Sequence, residues 1–350
     1  MAVTIHHVAR RARVSASTVS RAFTAPDLVR ADTRERVLLV AEEVGYRPNR
    51  AARGLITGKT ANIGLIVPDL GNPLFPAVLK GAQARALQAD HAVFLADTDE
   101  DPDLEVNLIR AMAKQVDGIV LCSSRMSDRQ LRGVLSLTAL TFVNRRVADV
   151  PIVLIDSADG MRQGVEHLAA LGHRRAAYLS GPRTSWSNRE RRRGVRAASR
   201  TAGVEMVELG PFAPRYEAGL QAADLVLAAD VTAVLAYNDL IALGMLNRLA
   251  DRGVAVPEEL SVIGFDDIAF AAMCTPPLTT VSIPKELTGR TAVELLLDWL
   301  DKKSLGHIGA TQRTLGTQLI VRSSTAPPPR VSVRSNGRVG SGAARKPKGD

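Results

Sequence analysis

Apolar residues are spaced in two different ways along this chain. Between residues 4 and 45 they recur at helical intervals. Ile5, Val8, Ala9 and Ala12 follow the i, i+3, i+4, i+7 rule behind Thr4, a good N-cap, and predict a first helix. Val19, Ala22 and Phe23 form the inward face of a second helix over about 16–22, and Pro26 marks the loop after it. Val37, Val40, Ala41 and Val44 form the stripe of a third helix over about 32–44, with Asp32 and Glu35 in its first turn, where the helix dipole favours acids. From Asn62 onward short apolar runs alternate with amphipathic stretches. Strands are predicted at 63–67, 92–96, 118–122, 141–143, 153–155, 176–179, 206–209, 233–236, 261–265 and 280–283. Helices are predicted at 75–88, 103–113, 160–171, 189–202, 216–227, 240–252 and 286–300. Such alternation implies parallel sheets covered on both faces. Ligands bind past the strand ends of such sheets, which singles out Asp69, Asp97, Ser123, Asn144, Asp156, Asn238 and Asp266.

The N-terminal helices carry a further signal. Two helices joined by a tight turn, the second opening on small polar residues and bearing an arginine one turn in, form a helix-turn-helix. The second helix reads "SASTVSRAF", with Ser15, Ala16, Ser17, Thr18, Ser20 and Arg21 available to a DNA groove. Arg21 can donate two parallel hydrogen bonds to a guanine edge, and the short side chains let the helix approach closely. The distribution of charge agrees. The net charge of +9 is not spread evenly. Residues 1–59 hold eleven basic and five acidic side chains, residues 326–350 hold six basic and one acidic, and the middle is slightly negative. Basic ends on a near-neutral body point to a polyanion, most simply nucleic acid. Residues 323–350, rich in Pro, Gly, Ser and Arg, predict a disordered tail.

Other chemistries are excluded by spacing. "GLITGKT" has only three residues between Gly54 and Gly58, where a phosphate-binding loop needs four, and a strand follows it instead of a helix. Cys122 and Cys274 are isolated, the six histidines show no metal-ligand spacing, and neither G-x-S-x-G nor G-x-G-x-x-G occurs. No catalytic residue, metal or cofactor is predicted. His173 in "LGHRR" is expected to pack at a helix end. The chain lacks an apolar run of about 18 residues and a secretory signal, so the cytoplasm is the expected compartment and no membrane partner is expected.

Several motifs in one order resemble the LacI/GalR family of bacterial transcriptional regulators over residues 3 to about 325. They are "VTIHHVARRARVSASTVSRAF", "TRERVLLVAEEVGYRPNRAARGL", "IGLIVPDLGNPLFPAVLKGA", "GVEHLAALGHRRAAYLSGP", "YNDLIALG", "ELSVIGFDDIAF" and "PPLTTVSIP". The resemblance implies an all-α helix-turn-helix headpiece (1–46), a hinge helix and linker (47–60), and a basic tail (326–350) after the effector domain. That domain (61–325) is implied to be α/β, of the type I periplasmic-binding-protein-like fold, with two parallel-sheet subdomains around a cleft. It further implies a homodimer on a pseudo-palindromic operator, most simply as a repressor, with a carbohydrate effector in the cleft. By motif, Thr4 of the headpiece and Asn49, Ala52, Arg53 and Leu55 of the hinge are implied to contact DNA, Leu55 as a wedge between base pairs in the minor groove. Leu74, Phe75, Asn144, Ser187, Arg189, Arg191, Asn238 and Asp266 are implied to line the effector cleft. Arg191 and Asp266 suit charge-assisted hydrogen bonds to hydroxyls or an anion, though such a pair can equally hold two sheets together.

The chain departs from the family pattern at several positions. Arg13 stands where the first turn normally has glycine, and Arg30 where the third helix usually has a Ser cap, leaving capping to Asp32. Pro214 occupies the place of the aromatic that stacks on the ligand, and Phe212 fits only with a shift. Trp186 either supplies that ring or packs its own loop. Ile283 replaces a polar residue at the cleft's far side.

Overall fold

A computed structural model describes residues 3–46, 59–304 and 311–329. The N-terminal part is three helices, α1 (Ile5–Ala12), α2 (Ala16–Thr24) and α3 (Ala31–Glu43), with a 3-10 turn at Pro26–Leu28. Their apolar stripes meet in one small core of Val8, Ala9, Ala12, Val19, Ala22, Val37 and Ala41. Phe23 closes it edge-on against Tyr46, with ring centroids 6.1 Å apart. Arg13, the non-glycine in the first turn, adopts the left-handed conformation the turn requires, with φ 55° and ψ 47°. Its N–H caps α1 through the Ala9 and Arg10 carbonyls. Arg36 of α3 adds a hydrogen bond from Nε to the Ala12 carbonyl at 3.1 Å. α3 starts one residue earlier than predicted. Arg30 is its N-cap and offers no side-chain bond, whereas Asp32 accepts from the Thr33 N–H at 2.7 Å. The hinge residues Asn49, Ala52, Arg53 and Leu55 lie outside the described residues.

The chain divides into two compact units interleaved along the sequence, the first of which includes the N-terminal helices. The first holds β1 (Asn62–Val67), β2 (Ala92–Asp97), β3 (Gly118–Cys122), β4 (Ala139–Val143), β5 (Ile152–Ile155) and β11 (Gln312–Leu315) in the order β11-β5-β4-β3-β1-β2, all parallel. Period-two alternation sends Ile63, Leu65 and Val67 to one face. There they pack against α4 (Leu74–Gln88) and α12 (Lys285–Ser304). Ile66, Ile119 and Leu121 face the opposite layer, formed by α5 (Pro102–Met112) and α6 (Asp128–Val134). α4 and α12 touch backbone to backbone, since a Cβ on Gly81 would overlap the Glu286 carbonyl and one on Gly289 the Val78 carbonyl.

The second unit repeats the plan. β6 (Arg175–Leu179), β7 (Glu205–Leu209), β8 (Ala233–Ala236), β9 (Ser261–Asp266), β10 (Thr279–Ser282) and β12 (Gln318–Ile320) lie in the order β12-β10-β9-β8-β6-β7, parallel except for β12. α9 (Tyr216–Leu227) and α10 (Asp239–Asp251) pack Ala222, Val226, Ile241, Met245 and Leu249 onto Leu179, Val234, Ala236 and Val262. α7 (Ser157–Leu171), α8 (Trp186–Ala202) and the short α11 (Ala269–Met273) complete the described elements.

The tail begins later than its composition suggested. Ser324 donates to the Val262 carbonyl at 2.6 Å, and the Ala326 N–H reaches the Ser261 hydroxyl at 3.0 Å. His173 fixes the same segment through the Ala326 carbonyl at 2.9 Å, so it anchors a strap besides following a helix. The tail from 330 onward lies outside the described residues. No described helix is long and apolar enough to cross a membrane.

Candidate nucleic-acid and effector sites

α2 presents a polar N-terminus. Ser15 is its N-cap and accepts from the Thr18 N–H at 3.1 Å. The same hydroxyl lies 2.7 Å from Ser17 Oγ and 2.8 Å from Thr18 Oγ1. These three hydroxyls surround the positive end of the helix dipole, a place that suits a phosphate. Ser15, Ser17 and Arg21 are exposed, while Thr18 and Ser20 are half-buried. Ala16 is also half-buried, against the core. The exposed members are thus Ser15, Ser17 and Arg21, with half-buried Ala16 as a spacer. Arg21 makes no ion pair among the described residues. Thr4, the α1 N-cap, is exposed and engaged with His7 through its N–H and hydroxyl, each 3.2 Å from Nδ1.

In the first unit, Leu74 and Phe75 open α4 just past β1, with Phe75 buried. Asn144 follows β4 in a left-handed conformation, φ 55°, and its Oδ1 accepts from the Ile155 N–H at 2.9 Å. That bond ties the end of β4 to β5, so part of the Asn144 carboxamide is structural. Ser187 is buried and Arg189 exposed in the first turn of α8. Trp186 carries the Arg189 guanidinium 4.7 Å from its ring centroid and Arg146 at 5.8 Å. Its ring is therefore already engaged with cations. After β3, Arg125 forms a fork on Glu100, and its N–H meets the buried Glu105 carboxylate at 3.0 Å. Burial pushes the Glu105 carboxyl above its usual range.

In the second unit, Arg191, Asn238 and Asp266 come together. Arg191 meets Asp266 Oδ1 at 3.1 Å, with side chains 5% and 3% exposed, and also donates to the Tyr237 carbonyl. Its guanidinium lies 3.6 Å from the Phe265 ring centroid and 4.6 Å from that of Tyr237, and its buried Nε has no hydrogen-bond partner among the described residues. An unpaired buried donor costs about 1–3 kcal/mol, which a bound acceptor would recover. Asn238 caps α10 through the Ile241 N–H at 3.0 Å and donates to the Pro214 carbonyl at 3.0 Å. Pro214 thus serves as an acceptor for Asn238, while Phe212 is packed against the unit's core and Ile283 is buried. Tyr237 and Phe265 were absent from the residues singled out by motif. Both lie inside quoted motifs, but only the pairing of β8 with β9 reveals that they flank one guanidinium.

Residues 4–49 match the model for bacterial regulatory proteins of the lacI family, and residues 165–325 match that for periplasmic-binding-protein-like domains. The chain is 34% identical over 334 residues to the HTH-type transcriptional repressor CytR of Escherichia coli K12, covering 93% of this chain and 96% of that protein. A lac repressor dimer bound to operator and the anti-inducer ONPF superposes with a TM-score of 0.82 at 28% identity, covering 93% of this chain and 100% of the other. The transcriptional regulator CelR in complex with cellobiose gives a TM-score of 0.68 at 30% identity over 92% of this chain and 100% of that one. With a relative this similar across nearly its full length, a helix-turn-helix headpiece and two parallel-sheet units, the chain belongs to the LacI family of bacterial transcriptional regulators.

Proposed function

We propose that this regulator is a cytoplasmic homodimeric repressor in which residues 1–46 read the operator, 47–60 act as the hinge, and 61–325 bind a carbohydrate and hold the dimer together. In the headpiece, Arg21 contacts a base edge, Ser15, Ser17, Thr18 and Ser20 approach the backbone, and Thr4 contacts an adjoining phosphate. Asn49, Ala52 and Arg53 belong to the hinge, with Leu55 as its wedge. Leu74, Phe75, Asn144, Ser187, Arg189, Arg191, Asn238 and Asp266 contact the effector. The observation that carries the effector reading is the buried Arg191–Asp266 pair with its unused Nε. A sugar diol offers an acceptor for that donor and a donor for the carboxylate. Ligand binding then biases the hinge between DNA-ordered and released forms.

Calorimetric titration of the purified protein with monosaccharides and disaccharides, cellobiose among them, tests the effector assignment. One sugar should bind to the native protein, with binding lost in Arg191→Lys, which keeps the charge and loses the planar fork, and in Asp266→Asn. Undiminished binding in both folded variants would remove the pair from the site.

A further inference from the structure

Next to Asn238, at the first position of α10, stands Asp239, a wholly buried carboxyl group. It joins three elements. Its Oδ2 accepts from the Ile268 N–H at 2.8 Å, and its Oδ1 faces the Thr280 hydroxyl of β10 at 2.5 Å. The strand between them is trimmed to admit it, since a Cβ on Gly264 would overlap Oδ1. Asp239 therefore holds the turn that leaves β9, and this turn is strained. Asp266 has φ 109° and Asp267 φ 53°, two successive non-glycine residues with positive φ. Such a conformation persists only where the surroundings enforce it. Arg322 holds the Asp267 carboxylate at 2.6 Å and Arg191 holds that of Asp266 at 3.1 Å, while Asp239 secures the backbone just beyond.

We propose that Asp239 is a positioning residue for effector binding, fixing the Asp266–Ile268 turn and β10 from inside the unit so that the Asp266 carboxylate keeps its alignment with Arg191. This inference rests on the reading that Asp266 and Arg191 contact the effector. The groups around Asp239 explain why a carboxyl can serve. Asp266 and Asp267 face it from the turn, Thr280 from β10 and Cys274 from the end of α11, with Arg191 reaching the cluster through Asp266 and Arg322 through Asp267. Burial first, and the Asp266 charge second, push the Asp239 carboxyl up to about 8. Its Oδ2 accepts from the Ile268 N–H and its Oδ1 accepts from the Thr280 hydroxyl, while burial favours its uncharged form. Ionisation places a second negative charge beside Asp266 and disturbs its pairing with Arg191.

The test uses the full-length 15N-labelled protein without added ligand. The Arg191 Nε–Hε resonance, assigned by comparison with Arg191→Lys, should shift on raising the pH with a midpoint near 8. That shift should vanish in Asp239→Asn, which can still accept from the Ile268 N–H, can donate to the Thr280 oxygen, and cannot ionise. In Asp239→Leu the Ile268 amide should exchange at least about tenfold faster while the β8 core amides stay protected, a local opening. An Arg191 resonance that titrates alike in wild type and Asp239→Asn, or does not titrate in wild type, overturns the proposal. So does unchanged Ile268 exchange in Asp239→Leu. Should the leucine variant not fold, the wild-type and asparagine titrations decide. Because no effector is added, a negative result counts against positioning alone, whereas a silent sugar panel counts against the effector reading.

Discussion

Single residues carry opposed demands here. Arg13 occupies a left-handed turn position, a conformation that costs a non-glycine residue about 1 kcal/mol. Arg13→Gly should therefore raise the headpiece's thermal midpoint slightly in scanning calorimetry, and if the lost charge served a phosphate, operator binding should weaken at the same time. Arg21→Ala should relax base preference at one position of each half-site by about 1–3 kcal/mol, read by competition with single-base operator variants. Unchanged preference would remove Arg21 from the interface. The buried carboxyls and histidines set pH dependence with opposite signs. Burial holds the His173 and His167 imidazoles below their ordinary range. The unfolded chain then takes up protons before the folded one, so their contribution is present above about pH 6.5 and is lost as pH falls through the folded values. Asp239 runs the other way: its contribution is present below its ordinary carboxyl range and is lost as pH rises towards about 8. Thermal melts should show a decline on the acid side that His173→Asn flattens, and a decline above pH 4 that Asp239→Asn flattens.

At the scale of elements, the sequence was most legible where burial is periodic. The three headpiece helices and ten parallel strands follow from Val, Ile, Leu and Ala spacing alone. β11 and β12 did not, because "QRTL" and "QLI" are short, largely polar or exposed, and owe their extension to the edges they join, β5 and β10. α6 and α11 have seven and five residues, too few to show a period. Site residues divide in the same way. Arg191 and Asp266 were visible through motifs, yet their closeness depends on where α8 and β9 meet in the second unit. Tyr237, Phe265 and Asp239 lie inside the quoted motifs, beside the residues assigned to the effector, and nothing local in the chain announces that they converge. Asn238 and Asn144 were read as ligand contacts, and each also closes a hydrogen bond within its own unit. The hinge gives a prediction at this scale. Leu55→Ala should weaken operator binding while leaving sugar affinity intact, measured by fluorescence anisotropy and calorimetry on the same sample. An equal fall in both would contradict the hinge assignment.

For the whole molecule, basic ends on a near-neutral body divide the work. On the proposed function the ends should supply salt-sensitive attraction to any DNA, and the headpiece should add sequence discrimination. The effector-binding domain contributes control, since a ligand that favours one form of the dimer changes operator affinity by its differential affinity for the two forms. The most direct measurement is selection of bound sequences from random DNA by the purified protein at physiological salt, repeated with each member of a sugar panel. A pseudo-palindromic consensus should emerge, its half-sites about one helical turn apart, with binding altered by a particular sugar. Recovery of only sequence-independent, salt-sensitive binding, the same with every sugar, would contradict this coupling.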